Sequence, residues 1–107
     1  MTFDAYGRSL ELLRELVPFL ARLAVLDSDL ASQLRRAAQS VVLNLAEGNR
    51  RVQRDRRNRF RIALGSAAEV ASCLDVALAL AYTDDATVAS SLALVDRVRA
   101  MTYRLSR

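Results

Sequence analysis

The sequence predicts an all-α protein, an antiparallel up-down four-helix bundle. Apolar residues recur every three or four positions along nearly the whole chain, which is the period of an amphipathic helix. Turn-forming residues interrupt this pattern at three places, and no segment alternates between polar and apolar residues over a useful length. With 107 residues, 52% of them hydrophobic, the chain suits one domain, residues 1–107, with a single core. Four amphipathic helices with short connections are typical of such a bundle.

The first helix is predicted to run from about Phe3 to Leu26. Pro18 lies on its polar line, where a kink would bend the helix around the core. One bundle face needs a single apolar stripe, so a second stripe predicts that part of this helix is buried against another subunit. The two stripes are Tyr6, Leu10, Leu13, Val17 and Leu20, and beside them Leu12, Leu16, Phe19, Leu23 and Leu26.

The second helix is predicted to open at the N-cap cluster Asp27 to Asp29. Gly48 and Asn49 form its predicted stop, because both residue types tolerate a left-handed backbone. We therefore expect Gly48 to lie past the end of the helix with positive φ, so that the chain can reverse there. The core line of this helix consists of Leu30, Leu34, Ala37, Val41 and Leu45.

The third helix is predicted to begin between Val52 and Asp55 and to end near Ala81. Its many alanines, together with Gly65 and Ser66, would permit close approach of a neighbouring helix. A turn over residues 82–85, in which Thr83 to Asp85 are cap candidates, then leads into the fourth helix. The core line of the third helix is Phe60, Ala63, Leu64, Ala67, Ala71, Leu74 and Leu78, and that of the fourth is Val88, Leu92, Val95, Val98, Met101 and Leu105.

Positive charge is concentrated in residues 50–61, which we call the basic segment. Seven of the sixteen arginines lie here with one acid, Asp55, giving a formal charge of +6, whereas the other nine arginines and eleven acids sum to −2. Because like charges this close repel one another, a polyanion would relieve the repulsion, and nucleic acid is the first partner to consider. The alternative is a solvated helix face whose arginines pair with acids of other helices or of a second subunit. The arginines are Arg50, Arg51, Arg54, Arg56, Arg57, Arg59 and Arg61.

The spacing of these arginines favours phosphate contact over base recognition. Arg50, Arg54, Arg57 and Arg61 step by four, three and four residues, so they would share one face if the third helix begins early; Arg56 and Arg59 would flank that face. Every basic residue of the chain is arginine, whose planar fork suits bidentate phosphate or carboxylate contact. Within the segment the one aromatic residue, Phe60, falls on the core line, so a stacking platform for single strands is not expected.

Catalysis, metal binding and membrane insertion find little support in the sequence. The chain has no histidine, no lysine and one cysteine, Cys73, so a histidine or lysine base and a cysteine-rich metal site are missing. An all-carboxylate site is conceivable, but Glu47, Glu69 and Asp75 show no paired spacing. We expect no enzyme activity and no cofactor. The charged N-terminus does not resemble a signal peptide, and no run of about 18 uncharged apolar residues occurs, so we expect a cytoplasmic protein that does not span a membrane.

Two motifs resemble one known family. Residues 33–38 (QLRRAA) and 44–48 (NLAEG) resemble the QLRRAA…NIAEG signature of small bacterial four-helix-bundle proteins, first noticed as reading frames inside intervening sequences of large-subunit ribosomal RNA genes. Residues 60–69 (FRIALGSAAE) look like that family's F-x-I-A-x-G-S-x-x-E motif. The resemblance implies a bundle, ring-like homo-oligomers (pentamers), and kinship with accessory proteins of diversity-generating retroelements. Those accessory proteins bind nucleic acid and a reverse transcriptase through basic surfaces, so a reverse transcriptase or another protein is a further candidate partner.

The polar residues of these motifs have a functional and a structural interpretation. Asn44 and Glu47 lie one helical turn apart and could form a site. In the structural interpretation, which we favour, Glu47 pairs with an arginine such as Arg51 and Asn44 bonds a neighbouring backbone group. Glu69, four residues after Gly65, would pair with Arg35 or Arg36 of the second helix.

The sequence thus favours an oligomeric, non-catalytic protein that binds nucleic acid through the basic segment without sequence preference. The alternative is a protein-interaction scaffold whose arginines pair with an acidic protein partner. Salt-dependent binding of RNA and DNA distinguishes the two.

Overall fold

Four helices form one antiparallel up-down bundle, as predicted. The computed structural model describes residues 4–107, in which α1 spans Asp4–Leu26, α2 spans Ser28–Arg50, α3 spans Gln53–Ala79 and α4 spans Asp85–Ser106. Phe3, the predicted start of the first helix, lies outside the described residues. Each helix packs against its neighbours in sequence, and α1 also packs against α4, which closes the bundle. The molecule measures 42 × 23 × 19 Å.

The predicted core line of α2 is buried, whereas the two predicted apolar stripes of α1 differ in how far they are buried. The whole predicted line of α2, from Leu30 to Leu45, is buried. In α1 the second stripe is buried except at its end, Leu26, whereas the first stripe is only partly buried and Val17 is 59% exposed. Because the first stripe lies beside the core side of α1 rather than on it, the remaining three helices leave it partly uncovered, most of all at Val17. The isolated chain therefore keeps an apolar surface along this helix.

A hydrogen bond joins the two turns at one end of the bundle. Asp27 caps α2 as predicted, since its Oδ1 accepts from the backbone N–H of Leu30 at 3.0 Å. The Oδ2 of Asp27 accepts from the hydroxyl of Tyr82, in the α3–α4 turn, at 3.1 Å. This hydrogen bond raises the pKa of Tyr82. A single carboxylate thus stabilises a helix start and fixes two turns to each other.

The turn between α3 and α4 contains a left-handed alanine. Ala81 has φ of 61°. The N–H of Tyr82 donates to the carbonyl of Ala77 at 2.9 Å, and the N–H of Ala81 donates to the carbonyl of Leu78 at 3.0 Å. These two hydrogen bonds form the Schellman pattern of a helix end. Asp84 then caps α4 by accepting from the N–H of Thr87 at 2.8 Å, and the hydrogen bonds from Thr87 lower the pKa of Asp84.

The corner between α2 and α3 differs from the prediction. α2 continues through Gly48 and Asn49 to Arg50, and no glycine of the described residues has positive φ; Gln53 has it instead, at 54°. The predicted turn role of Gly48 is therefore wrong. Gly48 is buried against α3, where an added Cβ would stand 2.6 Å from Cε1 of Phe60. The packing of α2 against α3 therefore leaves no room for a side chain at this position.

Of the described helices, α3 is long and apolar enough to cross a membrane by length and composition. The sequence-based expectation required an apolar run without charged residues. The apolar part of α3 does not meet that requirement, because it contains Glu69 and Asp75. The core helix of a soluble protein meets the same criterion. Since α3 packs against both α2 and α4, we describe it as a helix of the bundle.

Candidate nucleic-acid interface

The basic segment wraps around the corner between two helices. Arg50 is the last residue of α2, Arg51 follows as its C-cap with extended backbone, and Val52 is the N-cap of α3. The predicted face of four arginines is therefore wrong in one member, because Arg50 belongs to a different helix from the other three. Arg54, Arg57 and Arg61 keep their helical spacing on α3. The strained φ of Gln53 lets the chain reverse within two residues.

Two of the segment's arginines are neutralised by nearby acids. The Nε of Arg51 donates to Oε2 of Glu47 at 2.7 Å, and its Nη1 lies 3.1 Å from Oδ2 of Asp55. Arg50 pairs with the other oxygen of Glu47 at 3.0 Å. The hydrogen bond and charge of Arg51 lower the pKa of Glu47, and Glu47 in turn raises the pKa of Arg51. The structural interpretation of Glu47 is thus confirmed.

Arg56 has a structural role at the corner. Its Nη1 donates to the carbonyl of Gly48 at 3.3 Å, and the same carbonyl accepts the N–H of Arg51 at 3.1 Å. The guanidinium also lies over the buried ring of Phe60, 4.8 Å from the centroid. Arg56 therefore satisfies a carbonyl at the end of α2 and covers the ring that packs against Gly48, so we expect it to contribute little to ligand contact.

The remaining arginines of the segment have no acid partner among residues 4–107. Arg54 and Arg61 are exposed and, with Asp55 and Asn58, line a shallow depression on the outer face of α3. Arg57 is partly exposed and lies one helical turn from both Arg54 and Arg61 on the same helix. Arg59 is also partly buried, and its Nε is one of the buried polar atoms without a hydrogen-bond partner in the described chain.

The C-terminal part of α4 adds residues that the sequence analysis missed. Because α3 and α4 are antiparallel, the end of α4 lies at the same end of the bundle as the start of α3. Arg99 and Tyr103 of α4 line one groove together with Arg61 of α3, and the guanidinium of Arg107 lies 5.8 Å from the ring centroid of Tyr103. These residues could have been predicted from the sequence by aligning the third and fourth helices in antiparallel order, which places the end of α4 beside the start of α3.

Two polar residues of the motif in α3, Ser66 and Glu69, bond to α2, whereas Asn44 bonds within α2. Asn44 donates to the carbonyl of Ser40 at 2.9 Å, which confirms its structural interpretation. The Ser40 hydroxyl bonds the Ser66 hydroxyl across the two helices at 2.7 Å. The predicted pairing of Glu69 with Arg35 or Arg36 is wrong: its Oε2 accepts from Nε2 of Gln33, on the α2 side that faces α3, at 3.4 Å. Arg36 instead lies along its own helix and bonds the hydroxyl of Ser32 at 2.9 Å.

Gly65 does not serve close packing, contrary to the prediction. No heavy atom lies within 4 Å of the position that its Cβ would take, and the residue is exposed. The close approach of α2 and α3 occurs one residue later, at Ser66. Gly65 instead forms part of the groove shared with α4. Among the described residues no group of three or more histidine, cysteine, aspartate or glutamate side chains is placed to hold a metal ion.

Comparison with known proteins decides the family. The family model described as 23S rRNA-intervening sequence protein matches residues 1–104. The chain belongs to this family. The resemblance seen in the two motifs is therefore confirmed, and it extends over both flanks of the closely matching stretch.

A solved structure from the S23 ribosomal protein family has the same fold as this 23S rRNA-intervening sequence protein family member. It is the crystal structure of a protein with unknown function from Bacteroides thetaiotaomicron VPI-5482, at a TM-score of 0.86 and 20% sequence identity. The alignment covers 96% of this chain and 98% of that chain. At this identity the likeness shows the fold alone. No curated protein matches the chain.

Proposed function

We propose that this protein is a non-catalytic, homo-oligomeric nucleic-acid-binding protein whose binding surface is the basic segment. The observation that supports the proposal is that only some arginines of the basic segment form ion pairs with acids. Arg50 and Arg51 share the acids Glu47 and Asp55, whereas Arg54, Arg57 and Arg61 have no ion pair within residues 4–107. Unneutralised guanidinium groups on one helix face attract a polyanion, and each group can engage a phosphate through its planar fork.

The proposed binding is tolerant of sequence. Phosphate contacts position a protein on nucleic acid but carry no sequence information. The exposed arginines stand near one another on α3, and a row of guanidinium groups can contact the phosphates of any sequence. Chemistry on the nucleic acid is not part of the proposal, because the chain has no histidine or lysine to act as a base and no cofactor is proposed.

Self-association would repeat the basic segment around an assembly. The family resemblance implies a ring, and we propose a pentamer as its size. Several basic segments on one particle would bind a long strand with avidity, so affinity would rise with ligand length. A reverse transcriptase or another protein would then be a second partner, at a surface that the basic segment leaves free. The cytoplasmic location and the lack of a membrane partner stay predictions.

A salt titration tests the proposal. Log K for duplex should fall linearly with log salt, with a slope of roughly −0.9 for each phosphate contacted. Four contacts per engaged subunit, by Arg54, Arg57, Arg61 and one further arginine, would give a slope of roughly −3 to −4. The Arg54→Ala, Arg57→Ala double variant should weaken binding of every sequence and bring the slope about two units closer to zero.

A matched control removes two arginines near the other end of the bundle. Arg22 and Arg35 lie in the last turns of α1 and the first turns of α2, far from the corner between α2 and α3. The Arg22→Ala, Arg35→Ala variant has the same net charge as the double variant and should keep nearly wild-type affinity. Because Arg35 lines a depression between α1 and α2, the two variants are compared at equal particle mass, measured by light scattering. Equal weakening by both variants would mean that net charge, and not the basic segment, drives binding.

The scaffold alternative makes the opposite prediction. An acidic protein partner would use the same arginines, but the protein would then bind neither RNA nor DNA at about 50 mM salt, where phosphate contacts are strong. Wild-type protein without affinity for either polymer under these conditions would end the nucleic-acid proposal. The double variant would then be expected to lose a protein partner.

A further inference from the structure

A groove between α3 and α4 brings an exposed aromatic residue to the basic segment. We call it the α3–α4 groove; its walls include Arg61, Leu64 and Gly65 of α3 and Asp96, Arg99 and Tyr103 of α4. Tyr103 is 53% exposed, although it is a large apolar side chain. In the sequence it lies far from the basic segment, so the antiparallel packing alone creates this juxtaposition.

The charges around the groove suit an anionic ligand. Arg61 and Arg99 stand on its two walls, one from each helix, with Asp96 as the single acid among the lining residues. Neither arginine has an ion pair within residues 4–107. Arg54 continues the cationic surface from Arg61 along α3. A ligand lying along the groove would therefore meet an exposed aromatic ring and guanidinium groups from both walls.

The floor of the groove has room for a flat group. Its residues are small or apolar, and nothing lies within 4 Å of the position of a Cβ on Gly65. An exposed aromatic ring beside an apolar floor and two cations matches the components with which proteins bind single strands. In such sites a base stacks on the aromatic ring and arginines hold the backbone. Duplex bases are already paired and stacked, so they cannot use the ring.

We propose that the α3–α4 groove binds single-stranded nucleic acid, with one base stacked on Tyr103 and the adjoining phosphates held by Arg61 and Arg99. This inference rests on the proposed function and narrows its substrate class. It gives the basic segment two modes: phosphate contact with any polyanion, and an added stacking contact that only unpaired bases can make. Single strands are therefore bound more tightly than duplex at equal salt and equal phosphate number.

Short oligonucleotides test the stacking contact. Three probes of equal phosphate number serve: single-stranded oligo-dT of about 24 nucleotides, an abasic strand of the same length, and a duplex of about 12 base pairs, which is long enough to stay paired. Wild type should prefer oligo-dT to both others. Tyr103→Leu should weaken oligo-dT binding by roughly 5-fold to 100-fold, the loss of one stacked base, and leave abasic and duplex binding unchanged. Tyr103→Phe keeps the ring and should keep the preference.

A second variant fills the groove without touching Tyr103. Gly65→Leu places a side chain where the structure has open space, so the bundle should fold with unchanged or raised thermal stability. It should lose the preference for oligo-dT as Tyr103→Leu does. If variants on both walls of the groove lose the preference for oligo-dT, the stacking contact lies in the groove, and an effect of Tyr103→Leu on folding is not the cause of the loss.

The outcomes separate this inference from the proposed function. If Tyr103→Leu and Gly65→Leu bind oligo-dT as wild type does, the groove is not the single-strand site, while salt-dependent binding of all probes still supports the basic segment. If the variants change the mass of the particle but not its affinity, the groove is a contact between copies or with a protein, and the inference is overturned. Wild type that binds no probe overturns both.

Discussion

Gly48 and Gly65 differ in whether the packing of the bundle requires a glycine. Gly48 lies in α2 where the ring of Phe60 occupies the space that a side chain would need, with Cε1 only 2.6 Å from the ideal Cβ position. Gly65 lies in α3 with open space in front of it. Glycine costs helix stability at both positions because it gains the most freedom on unfolding. Packing requires that cost at Gly48, and packing within the chain does not require it at Gly65.

Alanine at the two positions should have opposite effects on the free energy of unfolding. Gly48→Ala should destabilise by about 1–2 kcal/mol, because overlap with the buried ring outweighs the gain of about 1 kcal/mol in helix propensity. Gly65→Ala should stabilise by up to about 1 kcal/mol. Urea unfolding followed by circular dichroism measures both changes.

A second substitution checks the cause assigned to Gly48. Phe60→Leu destabilises by itself, but it shortens the side chain that meets the new methyl group, so Gly48→Ala should cost less in that background than in wild type. A Gly48→Ala variant as stable as wild type would show that the ring moves aside freely and that the space argument fails.

Helix ends are decided by a few residues, and here two of them have unfavourable backbone angles. Ala81 closes α3 in a left-handed conformation at a position where glycine is preferred. The cost is offset by the hydrogen bonds that the turn makes to the carbonyls of Ala77 and Leu78, and by the bond from Tyr82 to Asp27. Gln53 has the same kind of strain at the start of α3.

Glycine at position 81 should stabilise the bundle. Ala81→Gly relieves the left-handed strain while keeping every hydrogen bond of the turn, so the free energy of unfolding should rise by about 1 kcal/mol. Ala93→Gly, on the exposed side of α4, is the matched control and should lower it by about 1 kcal/mol. Thermal unfolding of the two variants measures the difference, and a loss of stability in both would argue against left-handed strain at Ala81.

At the scale of the whole molecule, α1 has more apolar surface than the bundle covers. Val17 and Val25 are 59% and 86% exposed, and Leu26, the last residue of the helix, is 56% exposed. The exposed side continues into a shallow depression between α1 and α2, lined largely by Leu20, Ala21, Ala24 and Ala31. Exposed apolar side chains beside a largely apolar depression are typical of a contact surface, so we expect a second copy of the chain to cover them.

We expect the protein to sediment and scatter light as several subunits, with five favoured. Light scattering at micromolar concentration gives the mass directly. Val17→Asp places a charge in the middle of the uncovered stripe and should lower the mass. Val76→Asp, at a residue of α3 that is 43% exposed, is the control and should not. A wild-type particle of 11.9 kDa, the mass of one chain, would contradict this expectation.

Local chemistry was enough for much of this fold. The 3.6-residue period placed the four helices and the whole core line of α2, because a helix buries the same face wherever it packs. The caps at Asp27 and Asp84 were visible because each carboxylate satisfies an N–H only a few residues away. The pairing of Glu47 with Arg51 was predictable for the same reason, since residues four apart meet on a helix surface.

What the sequence by itself determined is most of what is set within one or two helical turns: the four helices, two of their caps, the family motifs and the concentration of arginine. It did not give the end of α2 or the left-handed residues Gln53 and Ala81, although these too are local. Only the tertiary structure decided which partner a residue meets across helices. It assigned Gly48 to the ring of Phe60, Glu69 to Gln33, and Tyr103 to the groove beside Arg61. Periodicity gives the direction of a side chain about its own axis, but the register and rotation of the neighbouring helix depend on how all the side chains of the core pack together.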